Sequence, residues 1–169
     1  NLAVDFIKEN RKDPFFLYLP WSIPHAPLQD PDLEPSTPFD AGPKSNTPEG
    51  REVFVKMVEY LDSRFGKIFK TLKKEGQFEN TLIIFTSDNG GMLSGNCWPL
   101  KKSKQYLEEG GIRVPCLMQW PRVIPSGTVS AQIGRAHVLQ SLNWISYAVF
   151  CLKKKNNSNI KSTSLINDR

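Results

Sequence analysis

The chain has 169 residues, 39% of them hydrophobic and 23% charged, which excludes a disordered or fibrous protein and fits one domain of ordinary size. No stretch approaches the ~20 apolar residues of a bilayer span, and the three cysteines form neither an even disulfide framework nor a C-x-x-C metal pair. The net charge of +5 arises entirely in residues 133–169, where six Lys or Arg face one Asp, so the body 1–132 is neutral and lacks the basic face of a nucleic-acid binder.

The chain opens on Asn1-Leu2-Ala3-Val4-Asp5, without an initiator Met or a secretory pattern, and reads as a piece of something longer. A short helix is expected over Leu2 to Asn10. Phe15 to Leu19 is a continuous apolar run bounded by Pro14 and Pro20, the signature of a strand covered on both faces, as in a parallel sheet. Six prolines between Pro24 and Pro43 make Trp21 to Asn46 a long irregular loop, and loops of that length are usually functional. Thr47-Pro48 is a helix start, a hydroxyl cap before a proline at the first helical position. Phe54, Val58, Leu61, Phe65, Ile68 and Leu72 then recur at helical spacing, which predicts one buried face ending near Gly76. Leu82 to Thr86 is a second buried strand and Ile112 to Trp120 a third, with Cys116 a small buried hydrophobe. The order helix, strand, helix, strand, strand predicts an α/β fold with parallel neighbours.

The pattern breaks near Ile133. Ile133 to Val138 and Ile145 to Leu152 carry neither helical nor strand periodicity. Both match the translation of a short-read sequencing adaptor, and Lys153-Lys154-Lys155-Asn156-Asn157 is what A-rich DNA encodes. Residues 133–169 are therefore expected to be a disordered, non-native tail, taking with them His137, Cys151 and the sequon at Asn156. Residues 1–132 carry the fold pattern, and with three strands and two helices to cover them the segment by itself is expected to be aggregation-prone or partly molten.

Three local features could carry chemistry. Asp88 and Asn89 directly follow the strand Leu82 to Thr86, where open α/β sheets bind ligands, and both offer oxygen to a hard cation. Taken alone, Asp88-Asn89-Gly90-Gly91 is better read as an ordinary Asx turn. His25, between Pro24 and Pro27, could bind an oxyanion or pass a proton, though lone loop histidines are more often bystanders. Lys101, Lys102 and Lys104 precede Glu109-Gly110-Gly111 and form either an anion clamp or a solvated basic loop.

In combination these features are more specific. Pro14-Phe15-Phe16-Leu17-Tyr18 leads to Pro24-His25-Ala26-Pro27. Asn80 to Gly91, Pro99-Leu100-Lys101 with Lys104, Glu109 to Pro115 and Trp120-Pro121 follow in order. This succession resembles the arylsulfatases, the formylglycine-dependent branch of the alkaline phosphatase superfamily, from about Asp13 to Gln132. The resemblance implies a fragment of a mostly parallel, alkaline phosphatase-like sheet flanked by helices. It implies that Asp88 and Asn89 are ligands of a Ca²⁺ ion, with Mg²⁺ as the alternative. It implies that His25 and Lys104 are catalytic and contact the sulfate, with Lys101 a further substrate contact where relatives commonly have arginine.

The family's nucleophile, a formylglycine made from cysteine in a C-x-P-S-R or C-x-A-x-R setting, is expected upstream and is not in this chain. Cys97-Trp98-Pro99 mimics only its first three positions. Around the lysine the family usually reads glycine, lysine, glycine, whereas this chain has Ser103-Lys104-Gln105. The implied activity is hydrolysis of sulfate esters on a sulfated small molecule or glycan, in a lysosomal or secreted enzyme, with the fragment inactive by itself. A phosphoesterase of the same superfamily and a non-catalytic truncated chain are the alternatives.

Overall fold

The computed structural model describes residues 2–33, 42–130, 147–153 and 161–164, the last two segments as backbone strands. Helix α1 (Leu2–Glu9) buries Ile7 and sets Phe6 edge-on to Phe15, with ring centroids 5.7 Å apart. Strand β1 (Phe15–Trp21) extends past the expected apolar run through Pro20. Its alternate residues Phe15, Leu17 and Leu19 are buried, while Phe16 and Tyr18 are only half-covered, so one face is sealed rather than two. The long loop that follows is described at residues 22–33 and 42–46; the remainder of it lies outside the described residues.

Helix α2 (Pro48–Lys74) begins as the sequence predicts. Thr47 Oγ1 accepts the Gly50 N–H at 3.1 Å, Pro48 fills the first helical position, and Gly76 adopts φ 69° just past the end. The buried line departs from the predicted stripe in the first half, where Met57 is buried and Val58 is 39% exposed. Leu61, Ile68 and Leu72 keep the expected inward positions. The reason is an apolar groove of about 750 Å³ between α2 and the chain around Leu117 and Met118, which Val58 lines and on which Phe65 also borders. A 3₁₀ turn (Phe78–Asn80) then leads into β2 (Thr81–Ser87), with Thr81 buried and its hydroxyl donating to Gln77 O at 2.8 Å.

Phe15, Leu17, Leu19, Ile68, Leu72, Phe78 and Ile83 form the core where α1 and α2 meet the sheet. Fully burying each such side chain is worth about 1.5–3 kcal/mol. Phe65, Phe69 and Phe85 extend this core toward the groove through edge-on ring contacts, Phe65 to Phe69 at 4.8 Å and Phe65 to Phe85 at 5.7 Å.

The sheet is not the mostly parallel one expected. A single helical turn, α3 (Glu109–Ile112), precedes β3 (Cys116–Gln119), and β4 (Tyr147–Lys153) and β5 (Lys161–Ser164) complete the order β3-β2-β4-β1-β5. Among the described residues only β1 and β5 pair in parallel; β1 with β4, β2 with β4 and β2 with β3 are antiparallel. The connection from β2 to β3 contains no crossover helix, so the chain returns from the end it left and runs back antiparallel. It also shortens the third strand to four residues at the sheet edge, leaving Leu117 65% exposed and Cys116 exposed rather than buried.

Within the tail expected to be disordered, the structure describes two strands, β4 and β5. Tyr147–Lys153 is rich in aromatic and β-favouring residues, and it fills the slot between two strands whose hydrogen-bonding edges would otherwise be bare. Strands β1 and β2 both run opposite to β4, so they point the same way, and Trp21 and Ser87 stand on either side of Tyr147. The boundary at Gln132 and Ile133, His137 and the Asn156 sequon lie outside the described residues.

Candidate active site

A cavity of about 400 Å³ opens where β1 and β2 end together. His25, four residues beyond β1, forms part of its wall, as do Asp88 and Asn89 directly beyond β2. Lys104 and Gln105 enter from the loop between Met92 and Glu108. The structure thus brings together four of the five residues singled out in sequence. Lys101 does not line the cavity; it is exposed, and its carbonyl accepts the Gly110 N–H at 2.8 Å.

The contact between Lys104 and His25 defines the site's polarity. His25 Nδ1 is 2.6 Å from Ala26 O, an oxygen that can only accept, so Nδ1 carries the proton. Nε2 then turns its lone pair to Lys104 Nζ at 3.2 Å. The Asp88 carboxyl is pushed above its ordinary range by burial, while the charge of Lys104 and the backbone N–H groups of Asp88 and Asn89 pull it back. The Tyr18 phenol on β1 is pushed upward by burial and by the charge of Asp88. Tyr18 is therefore a neighbour of the site that its place in an apolar run did not reveal.

Glycines determine how these loops fit together. A Cβ on Gly90 would lie 1.8 Å from Gly110 O, one on Gly110 2.0 Å from Lys102 O, and one on Gly111 2.0 Å from Tyr106 O. Where side chains are missing, backbone meets backbone: Gly90 N donates to Gly111 O at 2.9 Å and Lys104 N to Gly91 O at 3.0 Å. The two Gly-Gly pairs are halves of one clamp that presses the lysine loop onto the Asp88 turn. On its other side the turn is moored to α2, where Arg51 donates to Ser94 O and the Ser94 hydroxyl to Ser45 O. Cys97 donates its thiol to Gly91 O at 3.2 Å, a packing role inside this loop.

Asp88 and Asn89 supply hard oxygen donors of the kind Ca²⁺ accepts, held next to each other on the cavity wall. Among the described residues no group of three or more His, Cys, Asp or Glu could hold a metal ion. A six- to eight-coordinate ion would therefore take these two donors and draw the rest from elsewhere. The donor chemistry fits, as part of a cage.

Comparison with known proteins decides the family. The sulfatase family profile matches residues 1–143. The chain belongs to the sulfatase family. This sulfatase chain is 37% identical over 139 residues to human N-acetylgalactosamine-6-sulfatase, covering 78% of the chain and 24% of that protein. A sulfatase of Formosa agariphila is 33% identical over 139 residues, covering 76% of the chain and 25% of that protein. The crystal structure of Ps i-CgsB superposes with TM-score 0.63 at 41% identity over 75% of the chain and 28% of its own. The chain spans about a quarter of the length of the relatives it matches. His25, Asp88, Asn89 and Lys104, singled out by the sequence resemblance, share one cavity. The glycine clamp was visible in sequence only as two turn-like Gly-Gly pairs 20 positions apart, with nothing to say that they touch.

Proposed function

We propose that this chain is part of an enzyme that hydrolyses sulfate esters, with its cavity receiving the sulfate group. The observation that carries the reading is the convergence of Lys104 and His25 on one cavity with Asp88 and Asn89, from three separate loops. Lys104 brings a point positive charge to the sulfate oxygens, where negative charge grows as the ester bond breaks. His25, oriented by the Ala26 carbonyl, stands beside Lys104 and assists the departing alcohol, while the Lys104 ammonium keeps its charge on the sulfate. Asp88 and Asn89 would be two of the ligands of a Ca²⁺ ion. The ion supplies further charge neutralisation, and a formylglycine upstream supplies the nucleophile. No described residue takes the nucleophile's place, so the segment is inactive by itself under this proposal.

The substrate class proposed is a sulfated glycan or smaller sulfated alcohol. Support comes from the names of relatives, N-acetylgalactosamine-6-sulfatase among them, and from a second Ps i-CgsB structure that holds k-i-k-neocarrahexaose. A lysosomal or secreted placement rests on the family resemblance. No helix among the described residues is long and apolar enough to cross a membrane. We further propose that residues 133–169 derive from adaptor read-through, which sequencing of the coding DNA tests directly: ordinary exon sequence there refutes it.

The deciding assay is hydrolysis of matched aryl sulfate and aryl phosphate esters by the full-length parent. Preferential release of sulfate supports the proposal. Preferential release of phosphate assigns the site to a phosphoesterase, and a complete reading frame without the formylglycine motif assigns it to a non-catalytic chain.

A further inference from the structure

Gln105 is next in the chain to Lys104 and lines the same cavity, yet its own side chain is exposed. Its φ is 80°, in the left-handed region that favours glycine, so the backbone holds a side chain here against steric preference. Two other non-glycine residues share that region, Leu93 at φ 52° and Lys102 at φ 64°. Lys102 rests its ammonium over the Tyr106 ring at 4.7 Å, and Leu93 has no polar atom in its side chain. Of the three, Gln105 alone combines the unfavourable backbone with a polar group at the cavity. That amide meets no hydrogen-bond partner among the described residues.

Resting on the sulfatase reading above, we infer that Gln105 is a specificity-determining residue that reads a hydroxyl on the alcohol part of the substrate. Adjacent residues are about 3.8 Å apart at Cα. With Lys104 on the sulfate, Gln105, on the same cavity wall, is the adjacent polar group available to the part of the substrate beyond the ester oxygen. A carboxamide both donates and accepts, so it matches a neutral hydroxyl and gains nothing from a bare aromatic ring. Polar groups placed to bind a hydroxyl discriminate strongly against an analogue without one. The ligand class is a sulfate ester flanked by hydroxyls, as on a sugar ring.

The test compares galactose 6-sulfate with 4-nitrophenyl sulfate in the full-length parent and its Gln105→Gly variant, following sulfate release. Loss of one neutral hydrogen bond should lower the preference for the sugar ester, as a ratio of kcat/KM values, by about tenfold, mainly through KM. The melting temperature should hold or rise, because glycine accepts φ 80°, and Gln105→Asn should restore part of the preference. An unchanged ratio overturns the inference, as does a parent that cleaves the aryl ester but not the sugar ester. A parent that releases sulfate from neither removes the sulfatase reading and the inference with it, a different failure from an unchanged ratio.

Discussion

Lys104 Nζ lies 3.2 Å from His25 Nε2 although the two residues are 79 positions apart. One is held by a bond from its own backbone N–H to Gly91 O, the other by the Ala26 carbonyl. The pair is thus built by two loops that each fix their residue independently. In the full-length parent, Lys104→Ala should lower kcat and kcat/KM for an aryl sulfate by about 10²–10³, the usual worth of an aimed electrostatic donor. Lys102→Ala should have little effect, since that ammonium is occupied over Tyr106. Steady-state kinetics of the two variants check this, and equal small losses would place Lys104 outside the chemistry.

The same geometry makes a claim about metal. Asp88→Asn removes the one charge that the Asp88-Asn89 pair offers a cation while keeping nearly the same shape. The rise in melting temperature of the parent between EDTA and millimolar calcium should shrink or vanish in the variant, and activity should fall with it. Asn89→Ala should do the same more mildly. A calcium-dependent melt identical to wild type would restore the plain Asx-turn reading.

Two glycines offer opposite outcomes from the same substitution. Gly90→Ala puts a methyl 1.8 Å from Gly110 O, and backbone on both sides leaves no side chain to move aside. It should destabilise by about 1–3 kcal/mol or more and reduce activity by shifting the lysine loop. Gly66→Ala, inside α2 with nothing within 4 Å of the added carbon, should stabilise by about 0.5–1 kcal/mol. Denaturant melts of the two variants should move in opposite directions.

Acid should loosen the loop after β1. Lys56 on α2 donates to Asp30 Oδ2 at 2.5 Å, and the Asp32 N–H donates to Asp30 Oδ1 at 3.0 Å. The hydrogen bond from Lys56, and then that from Asp32, hold the Asp30 carboxyl below its ordinary 3.8. A depressed folded value means that the contact supports the fold above pH 3.8 and is lost as pH falls through the lower folded value. The contact is at the surface, so the effect is local and modest. Hydrogen exchange at the Asp32 amide should accelerate, relative to neighbouring amides, in that acid window, and Lys56→Met should move the window toward higher pH.

Much of this architecture was legible in the amino acids, for reasons that differ by element. The start of α2 could be read because Thr47 and Pro48 act on their own backbone, and no distant contact can overrule them. β1 and β2 were legible as apolar runs, but the direction of their partners was not. Pairing depends on where the intervening chain returns, and the connection to β3 looks alike in either case. Val58 was misplaced because helical periodicity says which residues share a face, not whether a partner covers all of it. Cys116 was misplaced because an edge strand has the same composition as a central one. At the site, His25, Asp88, Asn89 and Lys104 were legible only as an ordered set, since each alone is an ordinary loop residue. Tyr18 was missed, hidden in a strand, and Gln105 showed only as a departure from the family's glycine beside the lysine.

Whatever coding sequence it comes from, strand β4 acts as a gauge in this chain. Neighbouring strands lie about 4.8 Å apart, so β4 holds β1 and β2 about two strand widths from each other. Trp21 and Ser87 both face Tyr147, which brings the ends of those strands level with one another. His25 and Asp88 spring from these ends. The span between them is therefore measured out by the main-chain pairing of β4 with both strands. If β1 and β2 closed directly on each other, their ends would approach by one strand width, and the cavity would narrow without a single site residue being changed.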